Sequence, residues 1–183
     1  MDIEKLQRVA TLIAQRNAID DEIAAITGRP ALAGHLGEWI AAEVFAIQLE
    51  TSAVAKAIDG RFASGPLADC TVNIKWYGKR EGLLDMTEDP TLDYYLVLTG
   101  PRGTAPSSRG STRPMLIDAV YLFEAQPLLE TLRSRRVKIG VATSVIASLW
   151  DGAELFPDQR NFTIPISREQ RAALATFSTP HGS

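Results

Sequence analysis

The sequence is short of cysteine and histidine. Cys70 stands alone among 183 residues, which excludes an internal disulfide. With only His35 and His181 besides, a Cys/His zinc cage is excluded as well. No apolar run approaches the roughly 20 residues of a bilayer span, so no membrane partner is expected. The chain opens with Asp2 and Glu4 rather than a basic segment followed by an apolar one, so no secretory leader is expected and a cytoplasmic location is. A strong excess of one charge is missing too: the net charge is −3. Nucleic acid would therefore need a local basic patch. Internal repeats, heptad runs and low-complexity tracts are absent.

What is present suits one ordinary core. Hydrophobic residues make up 45% and charged residues 22%, near the globular average. A domain of this length hides roughly 70% of the surface its unfolded chain exposes. Apolar residues from Leu6 to Ile26 recur at helical spacing, predicting an amphipathic helix over 5–27 that stops at Gly28 and Pro30. A second helix is predicted from about Leu32–Leu36 to Leu49, apolar nearly all round, with Glu38 and Glu43 among its apolar residues. Strands are predicted over 53–62 and 71–77, joined as a hairpin by "ASGPLAD". "DYYLVLTG" is apolar on both faces from Tyr94 to Leu98, the pattern of a strand covered on both sides.

A further strand at 116–123 leads into a helix from near Pro127, whose end collects Arg133, Arg135, Arg136 and Lys138 where cations suit the helix dipole. "KIGVATSVIASLW" reads as a strand, a cap at Thr143 or Ser144, and a helix to about Ala153. Ser167 and Gln170 form a capping box for a last helix, after which the chain end has nothing to bury. The expected fold class is α/β, a mixed central sheet flanked by helices. The domain is placed at 1–156, with 157–183 as a C-terminal extension.

The chemistry lies on few positions. In "CTVNIKWYGK", residues 70–79, a period of two puts Val72, Ile74 and Trp76 on one face and Asn73, Lys75 and Tyr77 on the other. An amide beside an ammonium on a central strand is costly unless both are engaged. "GHLGEWIAAEVF" supplies Glu38 and "AIDGRF" supplies Asp59. An acid on a helix, an acid about twenty residues later and a polar-x-Lys on the next strand resemble the PD-(D/E)xK, or restriction-endonuclease-like, phosphodiesterase superfamily. The "GxxGE" opening is similar to its helicase-associated and resolvase-like branches, and the resemblance spans residues 34–99.

The resemblance implies a restriction-endonuclease-like core, a Mg²⁺ or Mn²⁺ cofactor and phosphodiester hydrolysis of DNA or RNA, in a bacterial genome-maintenance or defence setting. Asp59 would be the main metal ligand, with Asn73, the Ile74 carbonyl and Glu38 completing the set, and Lys75 would act on the attacking water and the developing phosphate charge. The family has Asp or Glu where this chain has Asn73, which implies weaker metal holding. Glu43 lies about 140° from Glu38 around the helix. His35, one turn before Glu38, is a further candidate ligand or proton carrier. Phosphate contacts would come from Lys79 and Arg80, and from Arg102, Arg109 and Arg113 in the acid-free loop "GPRGTAPSSRGSTRP". The same residues admit plainer roles: Lys75 as the partner of Glu38 or Asp59 in a buried ion pair, and Asp59-Gly60 as a turn. A non-enzymatic member of the same fold, binding nucleic acid or protein and dimerising through the long N-terminal helix, is the alternative.

Overall fold

The structure, a computed structural model, describes residues 2–50, 57–103 and 114–179. Residues 53–56 of the strand predicted over 53–62, Arg109, Arg113 and His181 lie outside the described residues, and in the described part of that stretch only 60–62 are strand. The element order is α1 (Ile3–Thr27), α2 (Ala33–Phe45), β1 (Ile47–Leu49), β2 (Gly60–Phe62), β3 (Thr71–Tyr77), β4 (Leu83–Leu84), β5 (Tyr94–Thr99), β6 (Ala119–Glu124), α3 (Ala125–Ser134), β7 (Thr143–Ser144), α4 (Ala147–Ala153), β8 (Glu154–Phe156) and α5 (Arg168–Ala175). Six strands form one mixed sheet in the order β1-β2-β3-β5-β6-β8. Only the central β3·β5 pair is parallel. β4 and β7 form a separate two-stranded ladder.

The sheet separates two cores, as the alternation in β3 requires. Val72 and Ile74 join Leu96, Leu98, Val120 and Leu122 against Ile40, Ala41 and Phe45 of α2 and Leu174 of α5. The opposite face sets Tyr95, Val97, Tyr121 and Phe123 against α3 and Trp150 of α4. β5 has apolar neighbours on both sides, and Leu96, Val97 and Leu98 are fully buried. At Gly37 a Cβ would come within 2.9 Å of the Trp76 Cβ, so glycine there lets α2 lie directly on β3.

Expectations for several elements are corrected. α2 ends at Phe45 rather than Leu49, because Ala46 turns left-handed at φ 53° and returns its N–H to Ala42, releasing Ile47–Leu49 as strand β1. Thr143 and Ser144 are strand residues paired with Leu84 and Leu83, and the cap of α4 is Ile146. β6 and α3 are shifted by a few residues from the predicted 116–123 and Pro127. At the last described residues, Asp118 accepts from Thr179 N and Oγ1, and Ser178 Oγ donates to the Ile117 carbonyl. The Ser167–Gln170 capping box forms as predicted, and Gln170 also donates to the Val44 carbonyl at the end of α2.

Candidate functional site

Asp59 sits where two strands part. β2 pairs with β3 only through Gly60↔Val72 and Arg61↔Thr71. One step further along, Asp59 faces Asn73 across the widening gap, its N–H still donating to the Val72 carbonyl at 2.9 Å. Ile74 then has an N–H with no strand to receive it, and the Asp59 carboxylate takes it at 2.6 Å through Oδ2. A carboxylate completing a broken ladder through one oxygen has a second oxygen to offer, and among the described residues no hydrogen bond to it is seen. Gly60 makes this position possible: a Cβ there would lie 2.6 Å from the Gln48 carbonyl oxygen, so only glycine lets β1 approach this closely.

Asn73 is 4% exposed. Its amide nitrogen donates to the Ala57 carbonyl at 2.9 Å, which fixes the side chain. Its Oδ1 is buried and accepts no hydrogen bond from any described residue. Unpaired buried acceptors are rare in folded proteins, so each calls for an explanation. Lys75, half-buried on the same face of β3, has no ion pair at contact distance among the described residues. Its charge instead acts on Asp59 from farther away. The start of the strand is anchored separately: Thr71 N and Oγ1 both donate to Asp93 Oδ2, at 2.7 and 2.9 Å.

Burial, one hydrogen bond and three charges set the state of the Asp59 carboxyl. Burial, the largest influence, pushes its pKa above the usual carboxylate value. The Ile74 N–H and the Lys75 ammonium pull it back, Glu38 pushes it up again, and Arg29 pulls it down. Glu38 and Lys75 thus both act on the Asp59 carboxyl, but from different directions. α2 covers the Val72/Ile74/Trp76 face of β3, whereas Asn73 and Lys75 alternate toward the other face. Glu38 is already engaged, its carboxylate ion-paired with Arg29 Nη1 at 2.6 Å. Glu43 is exposed on α2. His35 has a buried Nδ1 without a hydrogen-bond partner among the described residues.

No family model matches this chain, and no curated protein does. The residues alone therefore carry the functional argument.

Arg80 differs from the surface phosphate contact expected of it. It is 7% exposed, donates to the Tyr121 hydroxyl at 3.1 Å, pairs with Asp151 at 3.6 Å and stacks about equally on the Tyr121 and Trp150 rings, 5.3 and 5.4 Å from their centroids. Arg102, exposed, meets the same Asp151 at 2.9 Å. Lys79 is half-buried just beyond β3. Sequence reasoning missed Arg29 and Asp151. Arg29 hides in the helix-stop stretch "TGRP" and returns across a turn onto α2, a contact no spacing rule announces.

A hard divalent cation takes oxygen ligands. The second Asp59 oxygen and Asn73 Oδ1 are two such atoms, on residues that lie opposite one another in register, and an Asn73 acceptor without a partner among the described residues fits a cation better than an isolated core. Among the described residues no group of three or more His, Cys, Asp or Glu is gathered. The donor set is therefore sparse, with one carboxylate not already ion-paired.

Proposed function

We propose that this protein is a metal-dependent nuclease-type phosphodiesterase with a variant D…N-x-K site, on a restriction-endonuclease-like core. The observation that carries the reading is the buried Asn73 Oδ1, without a hydrogen-bond partner among the described residues, set opposite Asp59 and two residues from Lys75, which has no ion pair at contact distance among those residues. The consecutive acid-bearing helix, acid and N-x-K strand on a mixed sheet flanked by helices support the same reading. Asp59 and Asn73 would hold Mg²⁺ or Mn²⁺, with the Ile74 carbonyl and Glu38 as further candidates. The bound ion would supply Lewis-acid polarisation of the phosphate and a more acidic water. Lys75 contributes charge to the phosphate as negative charge builds on it, and its half-buried position makes that charge count more than in open solvent. Asp59, with one oxygen fixed by Ile74, holds its other oxygen in a set direction.

The experiment is hydrolysis of duplex, branched and single-stranded nucleic acid with Mg²⁺ or Mn²⁺. Cleavage is expected, and it is expected to vanish in Asp59→Ala and Lys75→Ala variants that stay folded. No cleavage of any substrate by metal-loaded protein would overturn the enzymatic reading.

One observation favours a second reading. With Glu38 held by Arg29, the donor set resembles a site that has exchanged metal holding for an internal ion pair. The protein would then be a nuclease-fold module binding nucleic acid or protein. Its mark is salt-sensitive binding of nucleic acid that does not change when divalent cations are removed.

A further inference from the structure

α1 runs for 25 residues, about 37 Å, and buries none of them against its own chain. Ile3, Leu6, Val9, Leu12, Ile13, Ile19 and Ile26 are 46% to 74% exposed. Isolated helices draw little stability from propensity alone and depend on burying an apolar face. This face also runs into a cavity. Ile23 and Ile26 of α1 line one side of an apolar space of about 300 Å³, closed by Leu36, Trp39, Trp76 and Phe177. Large apolar surface joined to an open apolar cavity marks an interaction site.

We infer that the occupant is α1 of a second copy of this chain, packed antiparallel. The charge pattern carries that choice. Residues 3–17 hold Lys5, Arg8 and Arg16 against the single acid Glu4, whereas residues 18–27 hold Asp20, Asp21 and Glu22 and no cation. An antiparallel pair sets each basic half against the other's acidic half, while a parallel pair sets like against like. A two-fold axis makes the arrangement self-complementary and closed. The antiparallel order also brings Ile3 and Leu6 of the second copy beside Ile23 and Ile26, at the mouth of the cavity they line. Arg8 of one copy then lies opposite Glu22 of the other, whereas Arg16 and Asp20 are already paired within the helix at 3.5 Å. The inference goes beyond the phosphodiesterase reading and does not depend on it.

Sedimentation velocity on the full chain across the micromolar range tests it. The wild type is expected at the mass of two chains. Leu6→Asp with Ile13→Asp is expected to give one chain that stays folded, with a urea-unfolding transition still cooperative, since neither residue packs on the body. Reversing the acidic half alone (Asp20→Lys, Asp21→Lys, Glu22→Lys) is expected to weaken association at least about tenfold. Adding Lys5→Glu, Arg8→Glu and Arg16→Glu is expected to restore it. A wild type that stays monomeric, or a dimer that survives Leu6→Asp/Ile13→Asp, overturns the proposal. A dimer indifferent to the acidic reversal overturns its antiparallel order.

Discussion

Two regions of the molecule bring charge into its interior, and they treat it in opposite ways. At the end of β3, Arg80 is engaged on every side: the Tyr121 hydroxyl, Asp151 and two aromatic faces. Around β3, Asn73 keeps an oxygen and Lys75 an ammonium without a partner at contact distance among the described residues, and Asp59 carries a carboxyl that burial opposes. Folding alone favours the first arrangement, because a buried polar group without a partner costs about 1–3 kcal/mol. The second arrangement is the one the proposed cation site requires. The contrast therefore separates a structural arginine from candidate functional residues without any appeal to relatives.

The strongest way to break the contrast is Arg80→Leu. Loss of the stacked guanidinium and of the Tyr121 hydroxyl's partner is expected to cost about 3 kcal/mol, read by urea unfolding, with cation binding unaffected. If the variant is as stable as the wild type, Arg80 is not structural and returns to the list of substrate contacts.

Asn73→Asp sharpens the comparison from the other side. Restoring an acid at this position is expected to tighten Mn²⁺ binding at least about tenfold, the modest net of a much larger gross attraction. The same change places a second carboxylate beside Asp59 and is expected to lower stability without metal. Calorimetric titration and thermal unfolding with and without Mn²⁺ read both effects.

Asp59→Asn tests the carboxyl itself. Because burial raises its pKa, the folded state holds this proton to higher pH than the unfolded chain does. Between the ordinary Asp value and the raised one, the folded state therefore binds more protons, and stability falls as pH rises through that window. Asp59→Asn removes the penalty, so its unfolding temperature is expected to exceed that of the wild type at pH 7. The difference is expected to shrink as pH falls below the ordinary Asp range. A variant less stable than wild type at pH 7 would show that the Ile74 hydrogen bond outweighs burial.

Arg29→Ala carries the smallest expected effect on stability, about 1 kcal/mol or less, since the Arg29–Glu38 pair is partly exposed. Its informative readout is the Asp59 carboxyl titration by carbon NMR. The pKa is expected to rise further once a neighbouring cation is gone. An unmoved titration would place Arg29 outside the site.

Much of this was legible in the sequence, for physical reasons. The period-two alternation of β3, the apolar run of β5 and the Ser167–Gln170 box are local patterns with one structural solution. The facing of Asn73 and Lys75 follows from strand pleat alone. β1 was read as helix because Ile47 and Leu49 continue the apolar pattern of α2, and the break falls at an alanine in a conformation usually left to glycine. β8 and the β4·β7 ladder are too short for periodicity to register. The pairing of Arg29 with Glu38 and the burial of Arg80 are tertiary facts, and "TGRP" and "YGKREG" read equally well as solvated turns.

The most direct test of the account is calorimetric titration of the purified chain with Mn²⁺, alongside Asp59→Ala and Asn73→Leu variants whose folding is verified. The account predicts one site per chain in the wild type, abolished in Asp59→Ala and markedly weakened in Asn73→Leu. Absence of binding in the wild type, or equal binding in all three proteins, would contradict it.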